Sequence, residues 1–428
     1  MATHQLSQAW KTWQKITFRF FFLFLSFFLF DYLFWAMGAL IFDFDLYLEK
    51  TLSIFNKPLY WLDAHFYHVG YNPSVNGNLT LDYRFAVVLY ISVFIVCVMA
   101  TAIWSWLDSK RSSYNKLHRW FRVYVRYAIA IIMLGYGLAK LIPLQMPFPG
   151  VLTLLKPIGS QRLVDALWNF MGASPAYEKF TGICEILGST LLLFRRTCVF
   201  GSLFMCAILM NVVALNIFYN IPVKIYSSLL LVSTLFLLAP FFQRLIRLFF
   251  YQQQISLAKE QNMFQSKTGN LLLNSIGALV IAVILIIGIS IDLKYYKKAL
   301  AHSTKLDKMY DVTSFIANDT PKANMTDELK WKRFVLLKKD TSNIAVIYNE
   351  KERQDWYYYK IDSNKMTFTL HDISGAIINW YVFNYISSEN NQLSFNGKWK
   401  NYDVKIKMKP LRNNMVLGKE KIKWVQDD

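Results

Sequence analysis

The sequence predicts an α-helical polytopic membrane bundle of about seven transmembrane helices, each of roughly 20 residues, followed by a small C-terminal antiparallel β-rich domain. Three observations predict it. The 428 residues are 54% hydrophobic and 17% aromatic but only 18% charged, less charge than a soluble chain of this length carries. The apolar residues collect in uninterrupted runs long enough to cross a bilayer. Beyond residue 292 the runs become short and are separated by Asn, Asp, Ser and Gly, as in strands joined by turns.

The first run, 20–42, follows Lys11, Lys15 and Arg19, is dominated by Phe and Leu, and holds Asp31 as its one clear acid. It is too long for a signal-peptide core and lacks a small-residue cleavage site, so it reads as a retained span. The polar segment 43–82 carries Asp63, His65, His68 and a turn signal at Asn72-Pro73. His at i and i+3 can share a helical face, but no third convincing ligand accompanies them. An ordinary extracytoplasmic loop is the reading, and no metal is assigned.

A second span covers 83–107, and Lys110, Arg111, Lys116, Arg119, Arg122 and Arg126 then mark a cytoplasmic loop. The third span, 123–142, ends before Gln145-Met146-Pro147-Phe148-Pro149-Gly150, where proline forbids a continuing helix. The segment 145–171 is too apolar for a plain loop and too interrupted to span, and is expected to be re-entrant or interfacial. Spans four and five, 177–194 and 199–219, flank Arg195-Arg196. A tight turn at Asn220-Ile221-Pro222 leads to the sixth, 223–242. The basic amphipathic stretch 243–267 is expected to lie in the cytoplasmic interface, before a seventh span at 271–291.

The basic loops put the N-terminus in the cytoplasm and the C-terminal domain outside, in the plasma (inner) membrane. Lys294, Lys297 and Lys298 oppose this orientation, although a translocated domain is judged less by charge than a short loop is. The expected division is 1–120 for the first two spans and their loop, 121–250 for a four-helix membrane core, 251–293 for the interfacial piece and last span, and 294–428 for the soluble domain. In that domain 334–337, 345–348, 356–361, 366–370 and 404–408 read as strands of a sandwich or barrel. Lys405, Lys407 and Lys409 alternate with Val404, Ile406 and Met408, the pattern of a strand with one wet face.

The net charge of +19 is explained by cytoplasmic loops and anionic headgroups, which makes the lipid bilayer the expected partner. No basic stretch interleaves with aromatics as a nucleic-acid reader would, so no nucleic acid is expected. The four cysteines, Cys97, Cys184, Cys198 and Cys206, form no CxxC pair. The C-terminal domain has none and must be held by its own core. The sequons at Asn78, Asn318 and Asn324 matter only in a eukaryotic secretory pathway. The Lys, Asn, Ile, Tyr and Phe bias points instead to an AT-rich bacterial genome.

Ionisable groups inside spans are costly and face bundle interiors or cavities, so they are the first candidates for chemistry. They concentrate between Arg126 and Lys224. The third span has Arg126 near one end and Tyr136 and Lys140 near the other, just before Gln145. The fourth has Glu178 and Glu185 two turns apart on one face, with Gly182 and Gly188 on a similar arc that lets helices approach closely. The fifth offers Asn211 and Asn216, and the sixth begins with Lys224. A structural role stands beside each of these. Arg126, Lys140 and Lys224 can snorkel to headgroups, Glu185 can pair with a cation simply to hold the bundle, and the asparagines can be interhelical glue.

The pattern Arg126…Tyr136-Gly137…Lys140, Gln145-Met146-Pro147, Glu178…Gly182…Glu185…Gly188 and the run ending Arg195-Arg196-Thr197 resembles the DoxX-like membrane proteins. It looks most like their longer bacterial version with a C-terminal soluble domain. The resemblance covers 121–247, and Asn396-Gly397-Lys398-Trp399 with Lys423-Trp424-Val425 is similar to the tail of that version. The first two spans match no motif of it. The resemblance implies a place in quinone-linked oxidation of sulfur compounds or in membrane redox complexes responding to thiol stress. With no cysteine pair or haem ligand set in this chain, electron transfer would need a bound quinone or a redox partner protein. The expectation is therefore a quinone, or another small apolar or redox-active ligand, near Glu185, Arg126 and Lys140, with the outer domain gating the site or recruiting a partner. Against it stands a non-enzymatic transporter or assembly scaffold. Catalytic residues are not identified, and whether the chain is an enzyme stays open.

Overall fold

The computed structural model describes residues 9–41, 55–72, 83–252, 266–303, 308–318, 320–321, 330–339, 342–362, 364–372, 380–388 and 392–411. The chain forms two compact units. One holds 1–146, 162–168 and 175–292; the other holds 147–161, 169–174 and 293–428.

The first unit is helical. Its long helices are α1 (Thr12–Ile41), α2 (Arg84–Leu107), α3 (Asn115–Leu141), α5 (Pro175–Leu193), α6 (Cys198–Phe218), α7 (Lys224–Leu238), α8 (Phe242–Tyr251) and α9 (Lys267–Ser303), with α4 (Leu163–Ala173) between α3 and α5. Among the described residues five stretches are long and apolar enough to cross a membrane: Thr12–Phe30, Arg84–Leu107, Asn115–Leu141, Cys198–Phe218 and Lys224–Tyr251. The chain is thus a membrane protein with several spans. The expected fourth span corresponds to α5 and the seventh lies within α9, but neither is among the five. The expected interfacial helix starts as α8, which continues the sixth span through a turn of 3-10 helix at Ala239–Phe241. The rest of that expectation, 253–265, lies outside the described residues, as do Pro73, the sequons at Asn78 and Asn324, the side chain of Asp31, and Lys423-Trp424-Val425.

Local chemistry explains the boundaries. α3 stops because Pro143 follows and holds Ile142 in extended backbone, and the N–H groups of Leu144 and Gln145 both turn back to the Ala139 carbonyl. α5 opens with Pro175 at its first position, where a missing N–H is harmless. Between α6 and α7, Asn220 takes a left-handed φ of 52° and the Ile221 N–H bonds the Asn216 carbonyl, giving the expected tight turn. The core of the unit gathers Leu25, Phe28, Val125, Ile129, Ile132 and Leu209 with further side chains of α1, α3, α6 and α7.

At one end of α1 the buried Arg19 guanidinium donates to the Tyr114 hydroxyl, Ser105 Oγ and the Asp108 carbonyl at 2.7–2.9 Å, while the Tyr114 hydroxyl donates to Asp108 Oδ2 at 2.6 Å. The sequence marks Arg19 only as a flanking positive charge. Here it ties α1 to the connection between α2 and α3.

The second unit is an antiparallel β-barrel of eight strands: β1 (Lys308–Ala317), β3 (Trp331–Lys339), β4 (Ser342–Asn349), β5 (Gln354–Asp362), β6 (Thr367–Asp372), β7 (Trp380–Ser387), β8 (Leu393–Trp399) and β9 (Tyr402–Pro410). The two-residue strand β2 (Thr320–Pro321) pairs only with β1. Strands follow chain order, and β1–β9 pairing closes the barrel and removes both sheet edges. All five expected strands are present. Every second residue points inward, so Tyr357 and Tyr359, Phe383, Phe395, and Val404, Ile406 and Met408 fill the interior, while Lys405, Lys407 and Lys409 line the outside. The segment after α3, expected to be re-entrant or interfacial, is split between the units. Its piece 147–161 belongs with the barrel, where Leu152 and Leu155 cover Val335, Val346 and Tyr348 on the outer face of β3 and β4.

Candidate functional site

The residues that carry chemistry collect where α3 crosses α5. The two helices run antiparallel, and glycine makes the crossing close. A Cβ on Gly137 would lie 2.9 Å from the Gly182 carbonyl oxygen and 2.7 Å from Ile186 Cγ1; one on Gly182 would lie 2.7 Å from the Gly137 oxygen. Backbones that meet this way leave no room for a side chain at either position, which is the packing that small residues allow between membrane helices. Gly201 does the same between α6 and α5, where an added Cβ would meet the Leu191 backbone at 2.8 Å, while one on Gly188 would meet the tip of the Met205 side chain.

Beside the crossing, Lys140 Nζ donates to Glu185 Oε1 at 2.5 Å, and the two side chains are 9% and 3% exposed. The Tyr136 ring lies 6.0 Å from the same Nζ. Glu178, fully buried, accepts the Met146 N–H at 2.9 Å on Oε1 and so holds the chain at the point where it leaves α3. The neighbouring Gln145 carbonyl accepts the indole N–H of Trp168. Three oxygens of this group, Glu178 Oε2, Glu185 Oε2 and Gln145 Oε1, are buried and have no hydrogen-bond partner among the described residues. Buried acceptors of this kind are rare and call for a donor. The group contains two carboxylates to one ammonium, so it favours hydrogen-bond donors, protons or cations over further acceptors.

The other predicted residues are elsewhere. Arg126 is buried at 1% exposure with its guanidinium 5.2 Å from the Tyr127 ring, but it sits on α3 roughly 21 Å along the axis from Lys140, at 1.5 Å per residue. It does not belong to the Lys140–Glu185 group, which corrects the expectation of one pocket formed by all three. Asn216 is buried and donates to Ser227 Oγ at 2.9 Å, joining α6 to α7 as interhelical glue. Asn211 is exposed on the same helix. Lys224 donates to the Ile221 carbonyl at 3.1 Å and closes the α6–α7 turn.

Where an irregular loop is expected, residues 55–62 are helical and Asp63–Tyr67 continue them as a turn of π-helix that ends at His68 in the left-handed region. Asp63 is 3% exposed and accepts the Val69 and Tyr71 N–H groups at 2.8 and 2.6 Å, while His65 Nδ1 contacts the Trp61 carbonyl. Burial alone would raise the Asp63 pKa, but the N–H groups of Tyr71, Val69 and Gly70 and the nearby His68 outweigh it and hold the carboxyl below its ordinary value. No group of three metal-ligating side chains occurs among the described residues.

No protein-family model matches the chain, and no solved structure does. The chain is similar to the uncharacterized protein YwoB of Bacillus subtilis (strain 168), at 34% identity over 113 residues, which are 26% of this chain and 71% of that protein.

Proposed function

Since the chain belongs to the family of the uncharacterized Bacillus subtilis protein YwoB, we propose a role from its own geometry: binding a small membrane-borne hydroxyl donor of the quinol class at the α3–α5 crossing. One observation carries this reading. Glu178, Glu185 and Gln145 together offer three buried acceptor oxygens without donors, next to a lysine already engaged by a carboxylate. The hydroxyls of a reduced ring fit that surplus. The carbonyls of an oxidised ring fit it less well, because they need donors and the Lys140 ammonium is already engaged by Glu185.

In this reading Glu185 and Glu178 hold the hydroxyl hydrogens, and Lys140 keeps Glu185 oriented and charged. A bound quinol supplies two-electron reducing power to a redox partner protein. The quinol class is also what the expected resemblance of 121–247 to DoxX-like proteins would imply. Counting α5 and α9 as spans gives seven, with the N-terminus in the cytoplasm, the barrel outside and the inner membrane of a bacterium as the location. The competing reading, a scaffold whose charges only lock the bundle, is favoured by the glycine-to-glycine contact at Gly137 and Gly182.

The test is to purify the full chain in mild detergent, extract it, and quantify bound quinol and quinone by mass spectrometry. Quinol is expected in excess over quinone, and Glu178→Gln with Glu185→Gln should lower it at least about tenfold, corresponding to about 1.4 kcal/mol of binding. An unchanged amount in a variant with an unchanged melting temperature leaves the scaffold reading in its place.

A further inference from the structure

We propose that the outer wall of the barrel, at the end where β7 begins and β8 ends, binds an acidic sugar: a pyranose ring carrying a carboxylate or phosphate. Three rings on the outside of β5, β6 and β7 are paired across strands, Tyr358 with His371 and His371 with Trp380. They stack nearly parallel, at 6.2 Å and 17° and then at 4.6 Å and 28°. The stack ends at Trp380, which is 63% exposed. The next strand brings Lys398, Lys400 and Asn401 beside it. These residues, with Tyr381 and Gly397, line an open cavity of about 690 Å³, within the size range of small-molecule sites.

Each component answers to one part of the ligand. The free face of an indole receives the C–H face of a sugar ring. Two ammonium groups receive the anion, and neither forms an ion pair among the described residues: Asp403 opposes Lys398 in the β8–β9 register without bridging it, and Lys400 lies 5.9 Å from the Trp399 ring. The Asn401 amide can both donate to and accept from hydroxyls. Gly397, on the inward-facing register of β8, lets β8 approach β7 closely, since an added Cβ would meet the Val382 carbonyl oxygen at 2.4 Å and Phe383 Cα at 2.9 Å. Lys400, in the β8–β9 turn, holds a left-handed φ of 54°.

The arrangement argues against a nucleic-acid strand. Single strands are held on successive open aromatic faces along a basic track. Here Tyr358, His371 and Trp380 stack on one another instead of offering successive open faces, and the more exposed end of the stack, at Trp380, is flanked by two cations.

The test uses the full-length protein in detergent micelles, titrated calorimetrically with a glucuronic acid trisaccharide. Saturable binding is expected, with maltotriose and adenosine monophosphate each binding at least about tenfold more weakly. Trp380→Ala and the double change Lys398→Ala with Lys400→Ala should each weaken the acidic sugar by about tenfold or more, while Trp380→Phe, which keeps a stacking face, should stay within about threefold. Absence of saturable binding, equal affinity for maltotriose, tighter binding of the nucleotide, or an unaltered Trp380→Ala titration would each overturn the proposal. The melting temperature of every variant is measured alongside, and Trp380→Phe supplies the folded control.

Discussion

In the helical unit Lys140, Glu178, Glu185, Arg19 and Arg126 are all at most 7% exposed, whereas among the described residues of the barrel no Asp, Glu, Lys or Arg is buried. The two units therefore reach a buried core by different physics. The barrel is filled by ring against ring: Trp331 on Trp399 at 4.9 Å, Phe334 on Phe395 at 5.5 Å, Phe368 on Phe395 at 4.9 Å. Among the described residues, two indole N–H groups in that interior, on Trp331 and Trp399, have no acceptor. The helical unit instead buries charges that are tolerable only because they meet each other or a backbone group. The difference teaches where each unit is vulnerable. A charge pair fails when one partner goes and can recover when both go; a packed ring has no such second-site remedy.

The largest expected effect follows from that contrast. Glu185→Ala leaves the Lys140 ammonium buried and unmatched, and should destabilise the helical unit by about 3–5 kcal/mol. The double variant Lys140→Met with Glu185→Leu removes both charges and should recover most of that loss, because apolar replacements of buried pairs are often neutral. Thermal melts of the purified chain check it, and a double variant no more stable than Glu185→Ala would show that the pair is tied into a wider network. Phe334→Ala in the barrel removes a fully buried ring and should cost about 3–5 kcal/mol. Phe368→Leu added to it should restore nothing, which hydrogen exchange at the amides of β3 and β8 followed with temperature would read.

Next in size is the glycine contact. Gly182→Ala places a Cβ 2.7 Å from a carbonyl oxygen that cannot move without moving α3, so overpacking of about 1–3 kcal/mol is expected. Gly159→Ala, whose Cβ would meet nothing within 4 Å, is the control. Equal melting temperatures for the two variants would mean that the α3–α5 crossing is looser than described.

Much of this was readable in the sequence, and the failures have physical causes. The strands were legible because alternation has a period of two, and Val404, Ile406 and Met408 against three lysines leave one register. Barrel closure was not legible, since it depends on β1 meeting β9 over 90 residues of chain separation, as with Thr313 Oγ1 and the Lys407 carbonyl; no local pattern reports that. Glu178, Glu185 and Lys140 were legible as costly charges in spans. Arg126 and Lys140 stand at opposite ends of one span, and the roughly 21 Å that spacing puts between them is too long for the single pocket expected of both. Arg19 was missed because a basic residue at a span end looks the same whether it faces headgroups or, as here, the Tyr114 hydroxyl.

The smallest expected effect tests the loop between the first two spans. The folded pKa of Asp63 is depressed because its carboxylate accepts the Tyr71 and Val69 N–H groups, so the stabilisation it provides is fully present above its unfolded value of about 4. It is lost as the pH falls through the lower folded value, when the protonated carboxyl no longer holds two backbone donors. Hydrogen exchange at the Val69 and Tyr71 amides should therefore accelerate below about pH 4, after correction for the intrinsic rate. Asp63→Asn keeps an acceptor oxygen but removes the charge, and should flatten that dependence while leaving exchange at neutral pH faster than in the parent chain. The barrel, in which no carboxylate is buried among the described residues, should show no corresponding step at Phe334 or Phe395. A shared acid transition in both places would mean that global unfolding, and not this turn, sets the response.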